Sequence, residues 1–235
     1  MRRRKFVALL GGVVAAWPLA ARAQHGRRIP RVGFMGNSTA ALEANLIGPF
    51  REGLREHGYE EGRNVEIVFR WAEGRYEQFP ALIAELIAAN VDVIVTAGTP
   101  AALAVKKATS TVPVVMAAVG DPVGTGIVPN LARPGGNITG LSAIAPDLEG
   151  KRLELLREIV PHLVHVAFFL NPANKLQTVS VHQVLAAAQA LSIKLQPREV
   201  RKSEHLEAAF ARSSRRSRAA FSTSPIGYSC ITASA

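Results

Sequence analysis

The residues of this chain best suited to chemistry are hydroxyls, amides and one carboxylate, and they recur where short apolar runs end. Asn37, Ser38 and Thr39 follow RVGFMG. Thr96, Gly98 and Thr99 close VDVIVTAGT. Gly120, Asp121 and Pro122 end VVMAAVG, and Asn171 and Asn174 follow HVAFFL. Their shared chemistry is hydrogen bonding. Helices expected to start at Thr99-Pro100 and at Asp121-Pro122 would turn unpaired N–H groups and a positive dipole end toward a carboxylate. Asp121 could pair with an ammonium, so a small zwitterion such as an amino acid suits the set. Each residue also has a plain structural use. Thr99 and Asp121 suit helix N-caps, and Asn37 and Asn171 suit turns. Recurrence at several strand ends is what favours a binding site.

Catalytic chemistry finds less support. Gly36-Asn37-Ser38 is not the G-x-G-x-x-G fingerprint, no GxxxxGK[ST] loop occurs, and no G-x-S-x-G elbow occurs. The six histidines form no pair at metal-ligand spacing, and the single cysteine, Cys230, lies in the tail, so no cofactor or metal is expected. Glu154 and Glu158 read as solvated charge beside Lys151 and Arg157. Trp71 admits two readings, stacking on an aromatic ligand or packing the edge of a lobe.

The elements that must position these residues follow from periodicity. Strands are expected at 31–35, 64–69, 91–98, 112–119, 138–142, 165–170 and 193–200, the last weakened by Pro197. Helices are expected up to His57 with Gly58 as the stop, from Tyr76 to Asn90, over 99–110 with Thr99 as cap, and as a short piece with a turn over 122–135. Further helices are expected from Asp147 to Val160, from Asn174 to Leu191, and from Ser203, which would cap the last. Strand-helix alternation throughout implies an α/β protein with parallel sheets and helices on both faces. In such sheets ligands bind beyond the carboxyl ends of the strands. Those are the places where the polar residues stand. A crossover between two similar lobes is expected at 143–147.

The two ends differ from the body. The formal charge of +10 suggests nucleic acid at first, but nine of the 28 basic residues sit at the ends: Arg2, Arg3, Arg4, Lys5 and Arg22, then Arg212, Arg215, Arg216 and Arg218. The other nineteen face 18 acids, so the body is nearly neutral and no nucleic-acid partner is expected. MRRRKFVALLGGVVAAWPLAARAQ has a basic start, an apolar stretch too short to span a membrane, and Ala21-Arg22-Ala23 before Gln24. This reads as a signal peptide over 1–23 cleaved after Ala23, directing the chain to the periplasm. Arg3-Arg4-Lys5-Phe6 suggests twin-arginine export, with a plain Sec signal as the alternative. After about Ala211 the alternation breaks into SSRRSRAAFSTSPIGYSCITASA, read either as a disordered tail or as a shifted reading frame.

Longer stretches carry a resemblance. FREGLREHGYEEGRNVEIVFRWAEGRYEQFPALIAELI, TAGTPAALAVKKATSTVPVVMAAVGDPVGTGIVPNLARPGGNITGLS and KRLELLREIVPHLVHVAFFLNPAN, with the leader, occur in order. They resemble the ABC-transporter substrate-binding family that includes tryptophan- and tyrosine-binding members. The resemblance implies a type 1 periplasmic-binding-protein fold with two Rossmann-like parallel-sheet lobes, the N-terminal lobe over 24–143 and a partial second lobe over 144–211. The tail over 212–235 departs from the family pattern and leaves the second lobe incomplete. Also implied is a non-enzymatic, monomeric protein that holds a small solute in the interlobe cleft and delivers it to an ABC permease in the inner membrane. Carried over by position, the cleft would be lined by Asn37, Ser38, Thr96, Gly98, Thr99, Gly120, Asp121, Pro122, Asn171 and Asn174. Two alternatives stay open: a ligand-sensing module of the same fold, and a fragment without function.

Overall fold

The computed structural model describes residues 28–143, 148–160, 162–201, 205–214, 219–222 and 232–233. The leader with its cleavage site, residues 144–147 of the crossover expected at 143–147, the Ser203 cap and Cys230 lie outside the described residues.

The first sheet is parallel and runs β2-β1-β3-β4-β5. Its strands are β1 (Arg31–Gly36), β2 (Glu66–Trp71), β3 (Val93–Ala97), β4 (Val114–Gly120) and β5 (Ile138–Ala143). β1 and β3 are central, buried strands of β-branched and aromatic residues, and Phe34 lies opposite Phe69 and Val95. Because β1 and β3 are neighbours although β2 lies between them in the chain, the strand order reverses there. That is the switch point where doubly wound sheets open a crevice.

Period-2 alternation sends side chains to two layers. Met35 and Ile94 pack with Ile83 and Leu86 of α2 (Phe79–Ala88) and with Ala101, Ala102 and Val105 of α3 (Thr99–Ala108). On the opposite face Val32, Phe34, Val95 and Ala97 pack against Ile47 of α1 (Ala44–Glu56). Phe34 is 1% exposed, and burial of such a ring contributes about 1.5–3 kcal/mol.

The second sheet runs β7-β6-β8-β9, with β6 (His165–Leu170), β7 (Lys194–Glu199) and β8 (Ala219–Ser222) parallel and β9 (Thr232–Ala233) antiparallel to β8. Leu153 and Leu156 of α4 (Glu149–Ile159) and Val184 of α5 (Lys175–Ala190) cover Val166 and Phe168. Ala209 and Phe210 of α6 (Leu206–Ser214) pack on Ala167 and Phe169, with the Phe169 and Phe210 rings 4.6 Å apart. Pro197 is tolerated because β7 is an edge strand, where no neighbour needs its missing N–H. The chain thus has the two parallel-sheet lobes of the type 1 periplasmic-binding-protein fold.

Four expectations need correction. The alternation does not end at Ala211: α6 continues to Ser214, and β8 joins the sheet beside β6. No helix forms over 122–135, where Gly126 at φ +77 closes a series of turns. β4 is not buried on both faces, since Val115 and Ala117 are exposed. Finally, α3 starts one residue earlier than expected: Gly98 is its N-cap, at φ +88, and Thr99 already belongs to the helix.

Candidate functional site

The ends of β1, β3 and β4 are joined by side-chain hydrogen bonds. Asn37, just beyond β1, donates from Nδ2 to the Ala97 carbonyl, and its Oδ1 accepts from the Ala101 N–H at 3.0 Å. Asn37 therefore caps α3 from a neighbouring strand end, the task the sequence reading assigns to Thr99. Thr99, 2% exposed, turns its Oγ1 elsewhere: the hydroxyl donates to the Gly120 carbonyl at 3.2 Å and accepts from the Gly120 N–H at 3.3 Å. One hydroxyl thus satisfies both backbone groups of a buried glycine, which would otherwise cost about 1–3 kcal/mol as an unmet donor or acceptor. Gly98 donates its N–H to the Ala118 carbonyl at 2.7 Å.

Asp121 has φ +39 and caps no helix. Its Oδ1 accepts from the Gly124 N–H at 2.8 Å, and its carbonyl accepts from the Thr125 N–H at 3.0 Å. These bonds form one turn that Gly126 does not extend. Pro122 is buried beneath it. Asp121 remains half-buried, and only its Oδ1 is committed to that turn. Thr96, further back on β3, is fully buried, with Oγ1 lacking a hydrogen-bond partner among the described residues. It shares the Met35 and Met116 register, on the α2–α3 side of the sheet.

In the second lobe Asn174 is a true N-cap: its Oδ1 accepts from the Leu176 N–H at 3.1 Å at the start of α5. Asn171 braces the loop after β6, with Oδ1 accepting from the Ala173 N–H at 3.0 Å. Gln177 reinforces it, accepting from the Asn171 N–H through Oε1 at 2.5 Å.

The two sets meet where α5 begins. Leu176, 3% exposed, lies against Gly120, where an added Cβ would stand 3.0 Å from Leu176 Cδ1. A side chain from the other lobe therefore packs closely on the glycine at the end of β4, and a Cβ there would have to displace it. Asn37, Thr99 and Gly120 form a connected ledge, and the start of α5 sits on it. Ser38 belongs to the same loop as Asn37, and its N–H is bound by a carboxylate the sequence reading passed over, Glu43. Trp71 resolves toward packing: its ring stacks on Phe69 at 5.9 Å and tilts against Phe34 at 5.5 Å.

This architecture defines the class: a two-lobed α/β protein whose strand ends carry hydrogen-bonding groups. Residues 38–229 match the family described as ABC transporter substrate binding protein, and the chain belongs to that family. It is 32% identical over 137 residues to a tyrosine-binding protein of Clostridioides difficile, a match covering 57% of this chain and 39% of that protein. A conserved domain protein from Vibrio cholerae superposes with TM-score 0.76 at 31% identity, over 83% of this chain and 65% of that one. An ABC domain in complex with L-Trp from Streptococcus pneumonia gives TM-score 0.76 at 24% identity, over 86% of this chain and 67% of that one, which shows a shared fold. The chain therefore spans well under half the length of the tyrosine-binding relative and about two thirds of these solved structures.

Proposed function

We propose that this chain is an exported solute-binding component of an ABC importer. It binds an amino acid, with an aromatic side chain as the first candidate, between the strand ends of its two lobes, and delivers it as a monomer to a membrane permease. The observation that carries the reading is the family match laid over a ledge in which Asn37, Thr99 and Gly120 join three adjacent strand ends. Relatives described as binding tyrosine and L-Trp support the aromatic class. The basic leader ending in Ala21-Arg22-Ala23 supports export.

In this reading the second carboxylate oxygen of Asp121 pairs with the solute ammonium. The Ser38 hydroxyl receives its carboxylate. Asn171 and Asn174 shape the facing loop of the second lobe, and Thr96, Gly98 and Pro122 hold the ledge from beneath. Asp121→Asn keeps the acceptor for the Gly124 N–H and removes the charge. Calorimetric titration with L-tryptophan and L-tyrosine is expected to show affinity reduced roughly ten- to hundredfold. Unchanged affinity would remove Asp121 from the site.

A further inference from the structure

Glu43 lies just ahead of α1 and is fully buried, although nothing in the pattern of apolar residues requires an acid there. Its Oε1 accepts from the Ser38 N–H at 2.7 Å, while its Oε2 has no hydrogen-bond partner among the described residues. Burial pushes its carboxyl above the usual carboxylate range, and the N–H groups of Ser38 and Asn37 pull the other way. The elements around it offer no compensating charge among the described residues. The first turn of α1, ANLI, carries no charge of either sign, β2 presents the Trp71 ring, and on the loop after β2 Glu73 and Arg75 pair with each other at 2.6 Å. Gly36 makes the space: a Cβ there would meet the Trp71 ring and stand 2.7 Å from Oε2.

What Glu43 holds is the part of the site with the most connections. The Ser38 carbonyl accepts from the Glu73 N–H at 3.1 Å and the Asn37 carbonyl from the Gly74 N–H at 2.8 Å. The Asn37 amide then reaches Ala97 and Ala101. We propose that Glu43 is the positioning residue of the solute site: by gripping the Ser38 N–H it fixes the loop from which Asn37 spans to α3, so that solute affinity follows the charge on Glu43. This rests on the amino-acid reading above. A carboxylate accepts an N–H bond about twice as strongly as a neutral carboxyl does, so the loop is held firmly only when Glu43 is ionised. Burial opposes that ionisation in the free chain. A solute that requires the ordered loop must therefore draw the proton off, and by reciprocity its affinity rises with pH.

The test is calorimetry on the full chain with L-tryptophan and L-tyrosine from about pH 5 to 8, in two buffers of different ionisation enthalpy, repeated on Glu43→Gln. Wild type is expected to tighten about tenfold across the range while releasing a proton on binding. Glu43→Gln is expected to bind with no pH slope. Binding by wild type with a flat pH profile and no proton release overturns the proposal alone, as does a pH slope that survives in Glu43→Gln. Should that variant fail to fold, the wild-type slope and proton release decide. A wild-type chain that binds neither amino acid overturns the solute reading, and the proposal with it.

Discussion

Glu149 begins α4 only 2% exposed, with Oε1 bonded to Arg152 at 2.8 Å and Oε2 unpartnered among the described residues. Burial pushes its carboxyl up to about 7, against the attraction of Arg152. The folded chain therefore holds a proton on Glu149 over a range in which the unfolded chain has lost it. Stability from this group is fully present below about 4.5, the ordinary glutamate value, and is lost as pH rises through about 7. Glu149→Gln keeps the shape and removes the titration. Denaturant unfolding at several pH values should show wild type losing roughly 1–3 kcal/mol relative to Glu149→Gln over that interval. Parallel pH dependence in the two proteins would contradict this account. Glu43 and Glu149 share a lesson about legibility. The sequence singles out Asn37, Thr99, Asp121 and Asn174 because each stands at the end of an apolar run. It missed Glu43 because a buried acid interrupts no period, and its partner's importance is set by contacts far away in the chain. The one available signal was Gly36, a glycine closing a buried strand beside a polar loop.

At the scale of elements, β6 falls where alternation and composition put it, at 165–170, since HVAFFL can be buried on both faces only as a central strand. Elsewhere the ends shift. Thr99 has the right type for a cap, but a cap can come from any acceptor within reach, and Asn37 supplies it from the next strand. Asp121-Pro122 also has the form of a helix start. The Gly124 N–H bonds to the Asp121 carboxylate as at a cap, but Asp121 and Gly126 both take a positive φ and the chain makes a turn. Gly120 is the element junction with the sharpest consequence. The sequence marks it only as the end of a strand, whereas in the structure it is packed on by Leu176 at the start of α5. Gly120→Ala should therefore destabilise the chain by about 1–3 kcal/mol through overpacking. Adding Leu176→Ala should recover part of that loss, with a coupling of about 0.5–3 kcal/mol in a double-mutant cycle. Additive effects would mean that the two lobes do not meet there.

For the whole molecule, the alternation of strands and helices sufficed to predict parallel sheets with helices on both faces, and the family pattern supplied two lobes. The partnership of β8 with β6 was not visible, because four short residues, AAFS, carry too little periodicity to stand out from a Ser- and Arg-rich stretch. The central claim concerns the molecule as a unit: both lobes contribute to holding one amino acid. A solute that binds only the folded chain adds about 2.7 kcal/mol of stability at a hundred times its dissociation constant. The most direct measurement is thermal unfolding of the full chain alone and with saturating L-tryptophan, L-tyrosine, L-leucine or small carboxylates. The account predicts one cooperative transition that the aromatic amino acids move upward and the carboxylates without an ammonium leave in place. A transition indifferent to every amino acid would contradict it.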